Sequence, residues 1–183
     1  MMRYHSLHTQ KYKASAYKYF EAQTDPFRCG PVSIINAIRY TKPYFVIGNA
    51  TRRVICVDCN AKQKHKDGFE GTKPENMTNA VHKLWPNAIY VTGSYNSLTL
   101  ITNPKYNAFI LLYVYKKYYH YVFLYRRGEI YFVQNDDDNA CETRVMKEDV
   151  YKLYLRAAIY PNFNYTIPQV WAIANSVDVV EGI

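Results

Sequence analysis

The sequence has no hydrophobic run long enough to cross a bilayer. Its longest apolar stretch, Ala108 to Tyr115, has the length of a strand, against the roughly 20 residues that a spanning helix needs. The opening residues, Met1-Met2-Arg3-Tyr4-His5, lead into polar sequence and not into the apolar core of a signal peptide. Four cysteines among 183 residues are too few for a disulfide scaffold, which points to a reducing compartment. These absences predict a cytoplasmic or otherwise intracellular chain without a membrane span. The length suits one domain with a sizeable core.

Acidic residues are scarce as well. Fifteen stand against 23 Lys and Arg, for a net charge of +8, and none precedes Glu21. Residues 1–22 therefore read as a basic aromatic arm, with Arg3, Lys11, Lys13 and Lys18 among Tyr4, Tyr12, Tyr17, Tyr19 and Phe20. Such an arm can touch nucleic acid or another anionic surface, by charge and by stacking. The rest of the positive charge is spread along the chain, and no nucleic-acid motif accompanies it. A solvated basic surface with tyrosine-rich strands is thus the plainer reading. His5 and His8 read as arm residues.

What is present begins with a turn that runs into a helix. Asp25-Pro26 is turn chemistry, and Pro31 is tolerated in a first helical turn, where its missing N–H has no partner to lose. Val32, Ile35, Ala37 and Ile38 then have the spacing of a helix face laid on a core. The helix is expected over residues 29–41, with Cys29 at its N-terminus. Unpaired N–H groups and the positive dipole end favour a thiolate there.

Further along, Tyr44 to Gly48 is apolar and reads as a short strand or helix start that continues the core. Thr72 and Glu75 have the spacing of a capping box for a second helix ending near Trp85. Ala88 to Val91 reads as a strand, and residues 92–105 have room for a short helix. Three runs rich in β-branched and aromatic residues follow: Ala108–Tyr115, Tyr118–Tyr125 and Ile130–Asn135. Tight turns separate them, so an antiparallel meander is expected. Beyond it, Cys141–Met146 reads as a strand, Lys147–Leu153 as a helical turn and Tyr154–Tyr160 as a strand. Pro161–Pro168 reads as turn and Gln169–Ala174 as a helical tail.

Gln23, five residues, and then Cys29-Gly30-Pro31 opening a helix resemble the signature of the papain-like leader peptidases of bacteriocin exporters, the double-glycine peptidases. The Gly71-Thr72-Lys73-Pro74 helix start and a histidine, His120, in the middle strand of a meander resemble that family too. The likeness spans roughly residues 23–135. Arg28, where many members have an acidic residue, is a departure.

The resemblance implies an α+β, papain-like cysteine peptidase fold. An N-terminal helix carrying the cysteine would pack on an antiparallel sheet carrying the histidine. Residues 23–183 would form a single domain, with 51–70 a possible insertion. It also implies a stand-alone peptidase acting on peptide or protein substrates, with Cys29 as nucleophile and His120 as base. Gln23 would act as oxyanion donor, and a third residue about fifteen positions after the histidine would orient the ring. Asn135 or Asp136 can fill that last position. A regular strand presents only one of them to His120, and register favours Asn135. The remainder of Asp136-Asp137-Asp138 reads as a solvated acidic loop.

No cofactor is implied. Cys56-x-x-Cys59 with His65 offers at most half of a zinc site, and two ordinary cysteines are the plainer reading, so no metal is expected. Two alternatives stay open. One is a related acyl-transfer enzyme, such as a transglutaminase or amidase. The other is a papain-like fold kept as a non-catalytic binding or structural module, for instance in a virus or phage particle.

Overall fold

The computed structural model describes residues 10–12, 20–116, 118–135, 142–160 and 162–173. Most of the basic arm, the stretch from Asp136 through Cys141, and the tail beyond Ile173 lie outside the described residues.

Helix α1 (Cys29–Thr41) is the centre of the fold. Every residue from Cys29 to Ile38 is buried, so the helix is enclosed on all sides and does not lie on a surface. Its polar side chains find partners inside. Ser33 Oγ donates to the Cys29 carbonyl at 2.8 Å, and Thr41 Oγ1 to the Ala37 carbonyl at 2.8 Å. Asn36 binds the main chain of Glu21 in both senses, accepting from its N–H at 2.7 Å and donating to its C=O at 3.0 Å. The Glu21 carboxylate in turn accepts from Arg39 at 3.0 Å and from Arg52 Nε at 3.2 Å. Arg52 belongs to α2 (Asn49–Asp58). The segment entering α1 is thereby lashed to two helices.

Behind α1 stands a seven-stranded sheet in the order β1-β6-β5-β4-β3-β9-β2, antiparallel throughout. The strands are β1 (Gln10–Tyr12), β2 (Ile89–Thr92), β3 (Ala108–Tyr115), β4 (Tyr118–Arg127), β5 (Ile130–Gln134), β6 (Glu142–Met146) and β9 (Gln169–Ile173). A separate hairpin pairs β7 (Ala158–Tyr160) with β8 (Tyr165–Ile167).

One face of the sheet, with Ile110, Leu112, Phe123 and Trp171, packs on α1 and α3 (Pro74–Leu84). The other, with Phe109, Leu111, Val122, Leu124 and Val133, packs on α4 (Ser94–Thr102) and α5 (Lys147–Tyr154). Because both faces are covered, β3 needs apolar residues at consecutive positions, which is why its sequence does not alternate.

The expected first helix and the three-strand meander are present. Four local expectations are corrected. Gln169–Ala174 is not a helical tail, since Gln169–Ile173 is β9, inserted between β3 and β2. Val170 enters one core and Trp171 the other, an alternation that only an extended chain provides. The Pro161–Pro168 turn contains a strand, β8. Tyr44 and Val46 do not continue the core, being 97% and 86% exposed. Finally, Thr72 does not cap α3, which begins at Pro74 with Lys73 as N-cap and no side-chain cap bond.

Thr72 has a different role. It is buried against Gly30 of α1: a Cβ on Gly30 would meet Thr72 Oγ1 at 2.6 Å and Thr72 Cβ at 2.8 Å. The Cys-Gly and Gly-Thr motifs are therefore two sides of one close contact. Gly30→Ala should cost about 1–3 kcal/mol through overpacking, read as a lower midpoint in urea. Thr72→Gly in the same chain should return part of that loss, and equal midpoints for Gly30→Ala and wild type would contradict the contact.

Candidate active site

The first residue of α1 is Cys29, and it is buried. Helix α1 has no acidic residue in its first turn and no side-chain cap bond, so its N-terminal dipole is not offset from within. The helix crosses β4 and β3, which sets the cysteine against the start of β4. There His120 stands opposite Tyr113 of β3. The rings of Tyr115 and Tyr113 lie 5.7 and 6.1 Å from the imidazole, centroid to centroid.

Burial pushes the Cys29 thiol up, as it does any thiol. It is outweighed by the hydrogen bond and charge of His120, and by hydrogen bonds from the main chain of Tyr121 and Gly30. The net result lies below the ordinary cysteine value.

The other two described cysteines go the opposite way. Burial pushes Cys59 well up, with the neighbouring Cys56 and Asp58 adding to the effect. Burial also raises Cys56, despite the nearby Arg28. Both stay thiols. His65, the third member of the half zinc site, lies with Nε2 2.8 Å from the Gly71 carbonyl. Among the described residues no three His, Cys, Asp or Glu side chains gather as a metal site.

His120 is held at the far end of its ring. Strand β5 pairs with β4 only from Phe123 onward. Past Gln134 the chain turns through Asn135, whose φ of 64° is the left-handed conformation that asparagine tolerates. That turn brings the Asn135 carbonyl oxygen to 2.6 Å from His120 Nε2. A carbonyl only accepts, so Nε2 carries the proton and Nδ1 is left for the cysteine.

The sequence predicts the side chain of Asn135 or Asp136 behind the imidazole. In the structure a main-chain carbonyl of Asn135 stands there, and Asp136 lies outside the described residues. The Asn135 side chain reaches Gln23 instead. Its Nδ2 donates to Gln23 Oε1 at 2.8 Å, and its Oδ1 accepts from the Gln23 N–H at 3.3 Å. The Gln23 Nε2 donates to the Asp25 carbonyl at 3.2 Å.

Gln23, Cys29 and His120 line one cleft of about 770 Å³. Its opposite wall went unseen in the sequence. Phe69, Tyr160 and Phe163 pack with ring centroids 5.0–5.4 Å apart, and Tyr160 stacks on Tyr119 at 3.8 Å. The aromatic spacing at Tyr160, Phe163 and Tyr165 was the available signal, masked by the turn residues between them.

No family model matches the chain, and no curated protein matches it. Solved structures do. The peptidase domain of Streptococcus ComA, a bi-functional ABC transporter involved in a quorum-sensing pathway, aligns over 84% of this chain and 96% of its own length. The identity is 15% and the TM-score 0.51. The chain shares the fold of the ComA peptidase domain. Two structures of the Streptococcus mutans ComA peptidase domain, one with a small-molecule inhibitor, also align over 84% of this chain and over 98% and 97% of theirs. Their identities are 15% and 14%, with TM-scores of 0.46 and 0.47. In this chain that α+β fold has a buried helix that begins at Cys29 and packs on the antiparallel sheet that bears His120.

The pairing has a direct readout. Alkylation of Cys29 by iodoacetamide, followed by peptide mapping against pH, should show an apparent pKa below that of Cys56 in the same chain. His120→Ala removes the two largest lowering influences and leaves burial, so the Cys29 profile should move to higher pH. Its rate at pH 7 should fall about tenfold or more. An unmoved profile would dissolve the pair.

Proposed function

We propose that the chain is a cysteine peptidase, with Cys29 as nucleophile and His120 as general base and acid. One observation carries the reading: of the three described cysteines, only the one at the helix N-terminus beside a histidine, in the cleft, is shifted toward the thiolate.

His120 Nδ1 takes the proton from the Cys29 sulfur, and the thiolate adds to the carbonyl carbon of a peptide bond. The oxyanion that forms meets the Cys29 backbone N–H and the Gln23 side chain. One such donor is typically worth about 2.7–4 kcal/mol in the transition state. His120 returns the proton to the leaving amine as the C–N bond breaks. Water, deprotonated by the same imidazole, then releases the acyl group from sulfur. Throughout, the Asn135 carbonyl keeps the ring in the tautomer that the cycle needs.

The substrate is a peptide or protein, and the likeness of the Gln–Cys motif to the double-glycine peptidases favours small residues before the scissile bond. The binding-module alternative would leave a paired, low-pKa cysteine without use, so the peptidase is preferred to it. Acyl transfer to an amine would use the same acyl-enzyme and differ only in the acceptor.

A peptide library with small residues before the cleavage point, read by mass spectrometry, tests the proposal. Cys29→Ala should lower kcat/KM by about 10⁴-fold or more, while Cys56→Ser should leave it near wild type. Cleavage that survives Cys29→Ala would refute the assignment. Amide products growing in proportion to an added amine, in place of hydrolysis, would move the chain to the acyl-transfer class.

A further inference from the structure

Register along the sequence predicts the Asn135 side chain behind the histidine, yet that side chain faces the glutamine. The hydrogen bonds there have only one consistent sense. The Gln23 main-chain N–H can only donate, so the Asn135 atom facing it at 3.3 Å is the acceptor, Oδ1. That places Nδ2, a donor, 2.8 Å from the Gln23 side chain, and the atom it meets is Oε1. The remaining amide atom, Nε2, then faces the Asp25 carbonyl at 3.2 Å, which can only accept. Two main-chain groups, one at each end of the chain of bonds, thus define the orientation of both amides. Asn135 is buried, so water does not offer its amide an alternative partner.

Nε2 has two hydrogens and Asp25 takes one, which leaves the second for an oxyanion. We infer that Asn135 is a positioning residue whose side chain sets the polarity of the Gln23 amide, while His120 is oriented by the Asn135 main chain. The inference rests on the reading of Gln23 as oxyanion donor. A carboxylate at 135 would oppose it. Two acceptors would face the Gln23 N–H and Oε1, and the amide would turn over to relieve the second contact, bringing Oε1 toward the Asp25 carbonyl and the oxyanion.

Two electrophiles separate the roles in the full chain. Iodoacetamide is attacked at a saturated carbon: the S–C bond forms as iodide leaves, with no oxyanion. p-Nitrophenyl acetate is attacked at its carbonyl, so the S–C bond forms together with an oxyanion, which collapses to the S-acetyl enzyme as p-nitrophenolate leaves. Peptide mapping follows Cys29 alone. The ratio of acylation to alkylation should fall about a hundredfold in Gln23→Ala and in Asn135→Gly. Glycine retains the left-handed turn and the carbonyl behind His120.

The double variant should be no slower than either single one, because both remove the same donor. The alkylation pH profile of Asn135→Gly should match wild type. Asn135→Asp, which keeps the size of the side chain, should show the same fall in the ratio and carries the test if circular dichroism shows the glycine variant unfolded. Additive losses in the double variant, an unchanged ratio, or an alkylation profile shifted as by His120→Ala would each overturn the inference while leaving the peptidase reading in place. A wild-type Cys29 inert to both reagents would overturn the peptidase reading and the inference with it.

Discussion

The site depends on the burial of the N-terminal turn of α1 against the start of β4. A helix end hidden from water keeps its N–H groups for partners other than water and its dipole unscreened. Burial alone, however, works against a thiolate. His120 makes the arrangement favourable, by supplying a hydrogen bond and charge where water is excluded. Enclosing α1 on all sides is therefore a condition of the chemistry as well as of stability. The enclosure has its own supports. Asn36 and the Glu21–Arg39–Arg52 group hold the entering chain, and Gly30 lets Thr72 come close.

Cys59 makes the contrast within one molecule. It is as buried as Cys29 and carries the same thiol, but there burial is reinforced by Cys56 and Asp58 and countered only by the side chain of Thr72, and its shift is upward. Residue type does not separate the two; the hydrogen bond and charge of His120, present at Cys29, do. The imidazole, for its part, is steadied by a carbonyl that any residue at 135 would carry, provided the backbone there adopts a positive φ. Asparagine is suited twice, by its tolerance of that conformation and by an amide that reaches Gln23.

Much of this was legible in the chain itself. The polar turn, Pro31 and the apolar spacing marked α1 at its true bounds, because helix starts obey local rules. The runs 108–115, 118–125 and 130–135 marked the meander, because β-branched and aromatic residues between tight turns have few other outlets. Gln169–Ile173 misled, since five residues without a partner in view carry no period. Their extended form comes from β3 and β2 on either side. Thr72 and Glu75 misled in another way: a capping box is a local option, and burial of Thr72 under Gly30 overrode it.

The sequence by itself determined which chemistry is available: one cysteine at a helix start, a glutamine six residues before it and a histidine in a strand. Each of those features is encoded within about ten residues, where short-range sterics and hydrogen bonding decide. Only the tertiary structure decided which cysteine faces the histidine, that a main-chain carbonyl stands behind the imidazole, and that Phe69 joins Tyr160 and Phe163 in an aromatic wall along the cleft. The cysteine–histidine and aromatic pairings join residues about 90 positions apart, and the Gln23–Asn135 bonds span 112. Over such distances the chain has no local code, and packing alone selects the partners.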